Sequence, residues 1–193
     1  MKKCIVILGI LLAGGIVSAQ TFQFGPKAGV NISNFSNGTG SESNTLVGFH
    51  VGGFVSFQFG KSLAIQPEVL FSTQGAKYDD VNTTIRNFKA NYLNIPVLVQ
   101  LRMPGGLYLE TGPQAGVLLT AKTDDETVKD LYNSLDWSWA FGIGLRSKMG
   151  LGFSARYNLG LTKVEDKIST TTFQPNGKNS VIQLGLFFAF GGK

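Results

Sequence analysis

The feature that most constrains this chain is an alternation of apolar residues with small or polar residues, which recurs eight times after the first twenty residues. Successive side chains of a β-strand point to opposite faces, so an alternation of period two predicts strands with one apolar face. In the sixth segment, for example, Trp139 and Phe141 alternate with Ala140 and Gly142. The predicted strands cover residues 22–35, 46–59, 63–74, 92–102, 107–120, 136–148, 151–161 and 179–190.

The connections between these segments alternate in length. Long connections are predicted at about 36–45, 76–91, 121–135 and 162–178, and short ones at 60–62, 103–106 and 149–150. An even strand number with long extracellular loops and short periplasmic turns is typical of outer-membrane barrels. The pattern therefore predicts an all-β fold, an eight-stranded antiparallel up-and-down transmembrane β-barrel, located in the cell outer membrane with both ends in the periplasm.

The distribution of charge indicates which face meets lipid. No apolar-face position of the eight segments is charged, and ten of the 12 acidic residues fall in or beside the long connections. The other two, Glu68 and Glu110, fall on the opposite face. A soluble barrel would hide its apolar face inside, whereas here that face forms a belt suited to lipid. Because hydrocarbon tolerates no unpaired sheet edge, we expect the first strand to pair with the eighth.

The N-terminus has the pattern of a secretory signal peptide. Lys2 and Lys3 precede an apolar run over 5–17, and Ser18 and Ala19 provide small residues for cleavage. The alternative, a membrane anchor, needs about 20 apolar residues, and this run has 13. We therefore predict a signal peptide over 1–19 and an outer-membrane barrel domain over 20–193.

Composition excludes several classes of function. Cys4 is the only cysteine and lies within the predicted signal peptide, so the mature chain would have neither disulfides nor thiolate metal sites. The 17 basic and 12 acidic residues are too evenly balanced and too scattered to indicate a nucleic-acid partner. We expect no metal site and no cofactor.

The predicted interior face carries a group of charged residues. Two acids among four bases, in an interior only wide enough for side chains, suggest an ion-pair cluster that fills the lumen. The alternatives are a gated ion path and a catalytic pair of carboxylates. The predicted lumen charge cluster consists of Lys27, Glu68, Arg102, Glu110, Arg146 and Arg156.

His50 is the only histidine and is predicted to face the lumen. A hydrolytic barrel enzyme could use it as the base for a serine. No GxSxG or other nucleophile motif accompanies it, so we interpret it as a hydrogen-bonded interior side chain. The protein is accordingly predicted not to be an enzyme.

Aromatic residues of the lipid face concentrate near both ends of the predicted strands. Such residues form girdles at the two membrane interfaces of outer-membrane barrels and need no ligand to explain them. The girdle near the long connections would contain Phe49, Phe71, Trp137 and Trp139, and the girdle near the short turns Phe24, Phe57, Phe59, Phe153, Phe188 and Phe190.

Several segments together resemble the PorT-type outer-membrane β-barrel domain family of Bacteroidota. They are GPKAGVNISNF (25–35), GFHVGGF (48–54), IQPEVLF (65–71) with QGAK (74–77), YLNIP (92–96), ETGP (110–113) and ARYNLGLT (155–162). The resemblance implies an outer-membrane barrel without known catalytic residues, and its namesake is associated with protein secretion across the outer membrane.

These features predict a structural or interaction barrel that acts through its four extracellular loops, and a secretion-accessory role is one version of that function. A narrow, porin-like channel is the first alternative, and a lipid-modifying barrel enzyme is the second. The expected partners are outer-membrane lipid and an envelope protein that contacts the loops. The sequence leaves the oligomeric state open.

Overall fold

The computed structural model describes residues 21–36, 44–79, 85–123, 126–127, 135–161 and 178–191, and nearly all of them lie in β-strands. The predicted signal peptide lies outside these residues. Among them, no helix is long and apolar enough to cross a membrane. The strands are β1 (Thr21–Ser36), β2 (Asn44–Phe59), β3 (Leu63–Asp79), β4 (Ile85–Arg102), β5 (Leu107–Thr123), β6 (Glu126–Thr127), β7 (Leu135–Arg146), β8 (Leu151–Gly160), β9 (Lys178–Phe188) and β10 (Phe190–Gly191).

The eight long strands close into one antiparallel barrel. Each pairs with its neighbours in the chain, and β1 also pairs with β9, so that Val30 lies opposite Phe49 on one side and Leu184 on the other. The two-residue strands β6 and β10 extend the sheet at β5 and β1. Closure gives every long strand two partners, as a hydrocarbon environment requires. The predicted eight-stranded fold is confirmed, including the pairing of its first and last long strands.

The two faces of the barrel follow the alternation in the sequence. Leu109 and Phe141 on the outer face are 45% and 52% exposed, whereas Glu68 on the inner face is 1% exposed. In water the outer belt of Phe, Leu, Val and Trp would promote association, but in a bilayer it is solvated by acyl chains. The charged side chains that the structure describes are therefore confined to the interior and to the strand ends.

Tight glycine-containing turns close one end of the barrel. Gly60, Gly105, Gly106 and Gly150 have positive φ angles between 65° and 95°, which residues with a Cβ rarely adopt. A single 3₁₀ turn, Pro104–Gly106, links β4 to β5. This end is called the short-turn end below, and we place it in the periplasm because periplasmic turns of such barrels are short.

At the opposite end the strands continue further than the sequence pattern indicated. β3 and β4 remain paired from Gly75 opposite Lys89 to Asp79 opposite Ile85, and β5 continues to Thr123. The predicted connection over 76–91 is therefore wrong, and the one over 121–135 begins later and contains β6. The apolar alternation of β3 stops after Phe71, but backbone hydrogen bonding does not require an apolar face and continues the hairpin.

This extension makes one wall of the barrel tall. The five strands from β1 to β5 have 16, 16, 17, 18 and 17 residues, whereas β7, β8 and β9 have 12, 10 and 11 within the described chain. The three longest, β3, β4 and β5, are adjacent in the sheet. A membrane-crossing strand needs only about 9–11 residues. The β3–β4–β5 wall therefore extends beyond the bilayer, and we call its part beyond Phe71 the projecting ribbon. β3 continues for eight residues after Phe71, about 26 Å along the strand.

Candidate functional site

Two buried carboxylates in the middle of the lumen share one guanidinium. Arg156 donates to both oxygens of Glu68, at 3.0 Å from Nη1 and 2.9 Å from Nη2. Its Nε donates to Oε1 of Glu110 at 2.9 Å, and Nη2 lies 2.9 Å from the same oxygen. A planar guanidinium is suited to this arrangement because its donors diverge in one plane. Arg156 therefore links β3 to β5 across the interior.

A second cation completes this ion cluster. Lys27 Nζ lies 3.2 Å and 3.4 Å from the two oxygens of Glu68, while Gln66 and Gln100 donate to Glu68 and Glu110 at 2.9 Å and 3.0 Å. The four charged side chains are between 1% and 4% exposed. Two positive and two negative charges balance, and hydrogen bonds satisfy the carboxylate oxygens, as buried ions require.

A glycine makes the contact between Glu110 and Arg156 feasible. Gly142 on β7 pairs with Glu110 on one side and with Arg156 on the other, so the two side chains must meet above its backbone. A Cβ at residue 142 would lie 2.8 Å from the Glu110 Cγ. Any larger residue would therefore push the carboxylate away from the guanidinium.

An aromatic layer adjoins the ion cluster on its short-turn side. Phe54 and Phe187 pack edge to face with centroids 5.6 Å apart, and Tyr108 packs against Phe187 at 6.3 Å. Phe54 and Tyr108 are 6% and 4% exposed, although both lie on the polar face of their strands. The alternation in the sequence is consistent with an inward position for these rings but indicates no role for them.

Each ring of this layer occupies the space above a glycine in the neighbouring strand. Phe54 pairs with Gly25, Tyr108 with Gly144, and Phe187 with Gly152. A Cβ at Gly144 or Gly152 would lie 2.2 Å or 2.1 Å from the Cζ of its ring. Large residues paired with glycine on an inward face are a signal that could have revealed the layer, once the register between strands was known.

Arg102 and Arg146 lie apart from the other four charges of the predicted lumen cluster. Arg102 donates to Ser56 at 2.7 Å and to the side-chain oxygens of Gln58, Gln23 and Gln100 at 2.8, 3.2 and 3.0 Å. Arg146 donates to the same Gln23 oxygen. Both arginines lie near the short-turn ends of their strands, below the aromatic layer, so their partners are neutral.

The His50 ring is held by the side-chain amide of Asn31. Its Nδ1 lies 2.8 Å from Asn31 Oδ1, and Asn31 Nδ2 in turn donates to Ser72 Oγ at 2.9 Å. Gln183 also donates to Asn31 Oδ1, at 3.2 Å. His50 Nε2 has no hydrogen-bonding partner among the side chains that the structure describes. The histidine therefore belongs to an interior polar network.

Amide side chains line the lumen beyond this network. Asn94, Gln114 and Asn158 are 2%, 5% and 2% exposed, and each has a side-chain atom without a protein partner among the described residues. They surround a small gap in which the centre of a water molecule could occupy about 10 Å³. This volume is close to the minimum that one water requires. The part of the lumen nearest the projecting ribbon is thus polar and narrow.

The aromatic residues of the outer face lie as two groups. At the short-turn end Phe24 packs against Phe190 with ring centroids 5.7 Å apart, and Phe188 packs against Phe190 at 4.8 Å. Phe57 contacts Phe22, at 5.6 Å. Phe59 at the end of β2 and Phe153 near the start of β8 are 39% and 48% exposed at the same end.

The other group lies towards the projecting ribbon. Phe49 and Phe71 are 6.1 Å apart, and Trp139 Nε1 donates to Thr111 Oγ1 at 2.9 Å. Trp137 is 45% exposed near the start of β7. An apolar ring with a polar handle suits the membrane interface.

This closed barrel, with an apolar outside and a charged, filled inside, defines an integral protein of the outer membrane. Residues 18–166 match the family model described as outer membrane protein beta-barrel domain. The chain belongs to that family. No curated protein matches the chain.

Solved outer-membrane barrels share the fold at low sequence identity. OprG of Pseudomonas aeruginosa is 12% identical with a TM-score of 0.56, covering 90% of this chain and 97% of its own. Neisserial surface protein A is 11% identical with a TM-score of 0.54, covering 88% and 97%. Ail of Yersinia pestis is 15% identical with a TM-score of 0.52, covering 88% and 99%. These similarities establish the fold, and the family match gives the location in the outer membrane.

Proposed function

We propose that this protein is a closed outer-membrane anchor that acts through the surface it presents outside the cell, with the projecting ribbon as the principal contact surface. The observation that carries the proposal is the continued pairing of β3 and β4 as far as Asp79 and Ile85, well beyond what a bilayer requires. A paired ribbon fixes the positions of its residues before a partner arrives, which lowers the entropic cost of binding.

The filled lumen supports this proposal over a channel. The ion cluster and the aromatic layer lie one below the other, and their side chains are buried except for the half-buried Phe187. An eight-stranded barrel has an interior only wide enough for side chains. Passage of an ion would require both layers to move.

The environment of His50 supports a non-enzymatic function. A serine nucleophile would need to hydrogen bond to the histidine, while a carboxylate oriented the ring. In the described chain, Nδ1 instead contacts the neutral Asn31, and Nε2 has no hydrogen-bonding partner.

The partner that we propose is another protein of the cell envelope. The resemblance to PorT-type barrels suggests an accessory role in protein secretion, in which the ribbon would contact a component of the secretion apparatus. Outer-membrane lipid surrounds the barrel through the apolar belt.

Photo-crosslinking in intact cells tests the proposed contact surface. A crosslinkable residue at Asp79, at the end of the ribbon, is expected to give a discrete protein adduct, whereas the same residue at the lipid-facing Leu109 is expected to give none. Replacing 77–87 by an Asn-Gly turn would connect Ala76 to Phe88, which already pair, and should leave the barrel folded. A crosslinkable residue at Ala76 of this shortened protein should give no adduct. Absence of an adduct from Asp79, or persistence of the adduct in the shortened protein, would contradict the proposal.

Conductance in planar bilayers tests whether the lumen is closed. We expect the folded protein to show no steady conductance, because two layers of side chains occlude it. Glu110→Gln should leave the baseline unchanged. Large, ion-selective steps that Glu110→Gln alters would instead establish the channel function.

A further inference from the structure

A cavity at the short-turn end of the lumen collects positive charge without any acid. It has a volume of about 150 Å³. Three of its lining residues are cationic and none is acidic: Lys61, Arg102 and Arg146. Its inner floor is the aromatic layer, which separates it from the ion cluster. The cavity is thus a separate compartment of the barrel, with its own charge.

The two guanidiniums differ in how fully they are hydrogen bonded. Arg102 directs donors to Gln23, Gln58, Ser56 and Gln100, so its geometry is fixed while its charge faces only neutral oxygens. Arg146 donates to the Gln23 oxygen that Arg102 also uses. Its remaining N–H groups have no hydrogen-bonding partner among the described residues, which leaves most of a planar donor fork available.

The charge balance of this compartment is unusual for a half-buried site. Within the described chain, neither Arg102 nor Arg146 forms an ion pair, and both are partly removed from water. Two like charges that share one neutral acceptor repel each other, and the repulsion grows as the effective dielectric constant falls. Lys61 adds a third positive charge at the exposed rim. An oxyanion placed between them would relieve this repulsion and use the free donors of Arg146.

The residues at the inner end of the cavity indicate the chemistry of the uncharged part of the ligand. Phe54, Tyr108 and Phe187 present ring surfaces to the cavity, and Leu107 and Met103 add apolar atoms at its side. A volume of about 150 Å³ is enough for a molecule the size of benzene. The ligand would therefore combine one charged head with a small ring or short apolar chain.

We propose that the short-turn end of the lumen is a binding site for a small organic oxyanion, a carboxylate or phosphate ester with an apolar portion, which enters from the periplasm. Arg146 and Lys61 bind the charged group directly. Arg102 is a positioning residue that holds Gln23 and contributes to the electrostatic field. The aromatic layer contacts the apolar portion of the ligand.

Nuclear magnetic resonance titration of the folded protein in detergent micelles tests this site. Benzoate and phenyl phosphate serve as the carboxylate and phosphate probes, and neutral benzamide serves as the isosteric control. Either anion is expected to cause saturable shifts at the amides of Leu107 and Tyr108, and the affinity should fall as salt is added. The probe that binds more strongly would show whether the site prefers a carboxylate or a phosphate ester.

Charge-removing variants decide whether the arginine carries the binding. Arg146→Gln is expected to weaken binding about tenfold or more, as loss of a charged hydrogen bond predicts. The matched control is Lys148→Gln, an exposed cation in the turn at the same end that does not line the cavity, and it should bind as the unaltered protein does. Lys61→Gln, at an exposed position, provides a second variant whose folding is not in question, and it should weaken binding as well.

Three outcomes would overturn the proposal. They are no saturable shift with either anion, equal binding of benzamide, and an equal loss of affinity in Lys148→Gln. Because none of these measurements involves the projecting ribbon, failure here leaves the proposed surface function untouched.

Discussion

Arg156→Ala is expected to be the most destabilising single substitution in the barrel. The guanidinium contacts Glu68 and Glu110 together, and both carboxylates are almost fully buried. Its removal leaves Glu110 without a cation and Glu68 with Lys27 alone. Breaking a buried pair in this way costs about 3–5 kcal/mol, because an uncompensated charge remains in a medium of low dielectric constant. The free energy of unfolding should fall by at least that amount, measured by urea titration of the protein in detergent micelles.

The control for this experiment is another loss of positive charge. Lys148→Ala removes an exposed cation from a turn and should hardly change the unfolding midpoint. Combining Arg156→Met with Glu110→Gln removes the carboxylate that lost its only cation, while Glu68 keeps Lys27, and should recover part of the loss. An Arg156→Ala protein as stable as Lys148→Ala would show that the ion cluster does not stabilise the barrel.

Glu68→Ala and Glu110→Ala are both expected to destabilise the protein strongly, and Glu68→Ala more so. Glu68 contacts Lys27 and Arg156, whereas Glu110 contacts Arg156 and the neutral Gln100. Removal of Glu68 therefore leaves Lys27 without a carboxylate within the described chain and leaves Arg156 with Glu110 alone. We expect a loss on the order of 3–5 kcal/mol for each and a measurable difference between them in urea titrations.

Leu109→Val provides the matched control on the same strand as Glu110. Leu109 faces lipid and is 45% exposed, so an acyl chain fills the space that the lost methylene leaves. Its unfolding midpoint should hardly move. A double-mutant cycle between Glu110 and Arg156 should show non-additivity, because the two side chains are in direct contact. If both glutamates prove as dispensable as Leu109, the interior charges are not coupled.

Much of the fold could be predicted because the bilayer imposes simple requirements. A strand that separates lipid from a packed polar interior must alternate, and the pattern around Phe141 and Gly142 identifies the strand and its faces together. Closure then follows from the need to pair every backbone group. The sequence pattern was less informative beyond the membrane, where the continuation of β3 to Asp79 depends on backbone pairing without an apolar face.

The alternation of side chains along each strand was enough to place four charged residues in the interior: Lys27, Glu68, Glu110 and Arg156. It could not show that Arg102 and Arg146 lie apart from these four, because the height of a side chain in the lumen depends on the tilt and register of all eight strands. The same registers place Gly144 opposite Tyr108 and Gly152 opposite Phe187. Without those pairings, an inward aromatic residue has no recognisable partner.

By itself, then, the sequence determined the strand number, the two faces, the closure and the sign of the interior charges, since each depends on a period of two and on the absence of water in hydrocarbon. Only the tertiary structure decided which interior groups meet. It placed Arg156 between two glutamates and left Arg146 beside an open cavity. The physical reason is that contacts across a barrel join residues far apart in the chain, such as Glu68 and Arg156, whose relative height is set by the shear of the closed sheet and by no local pattern.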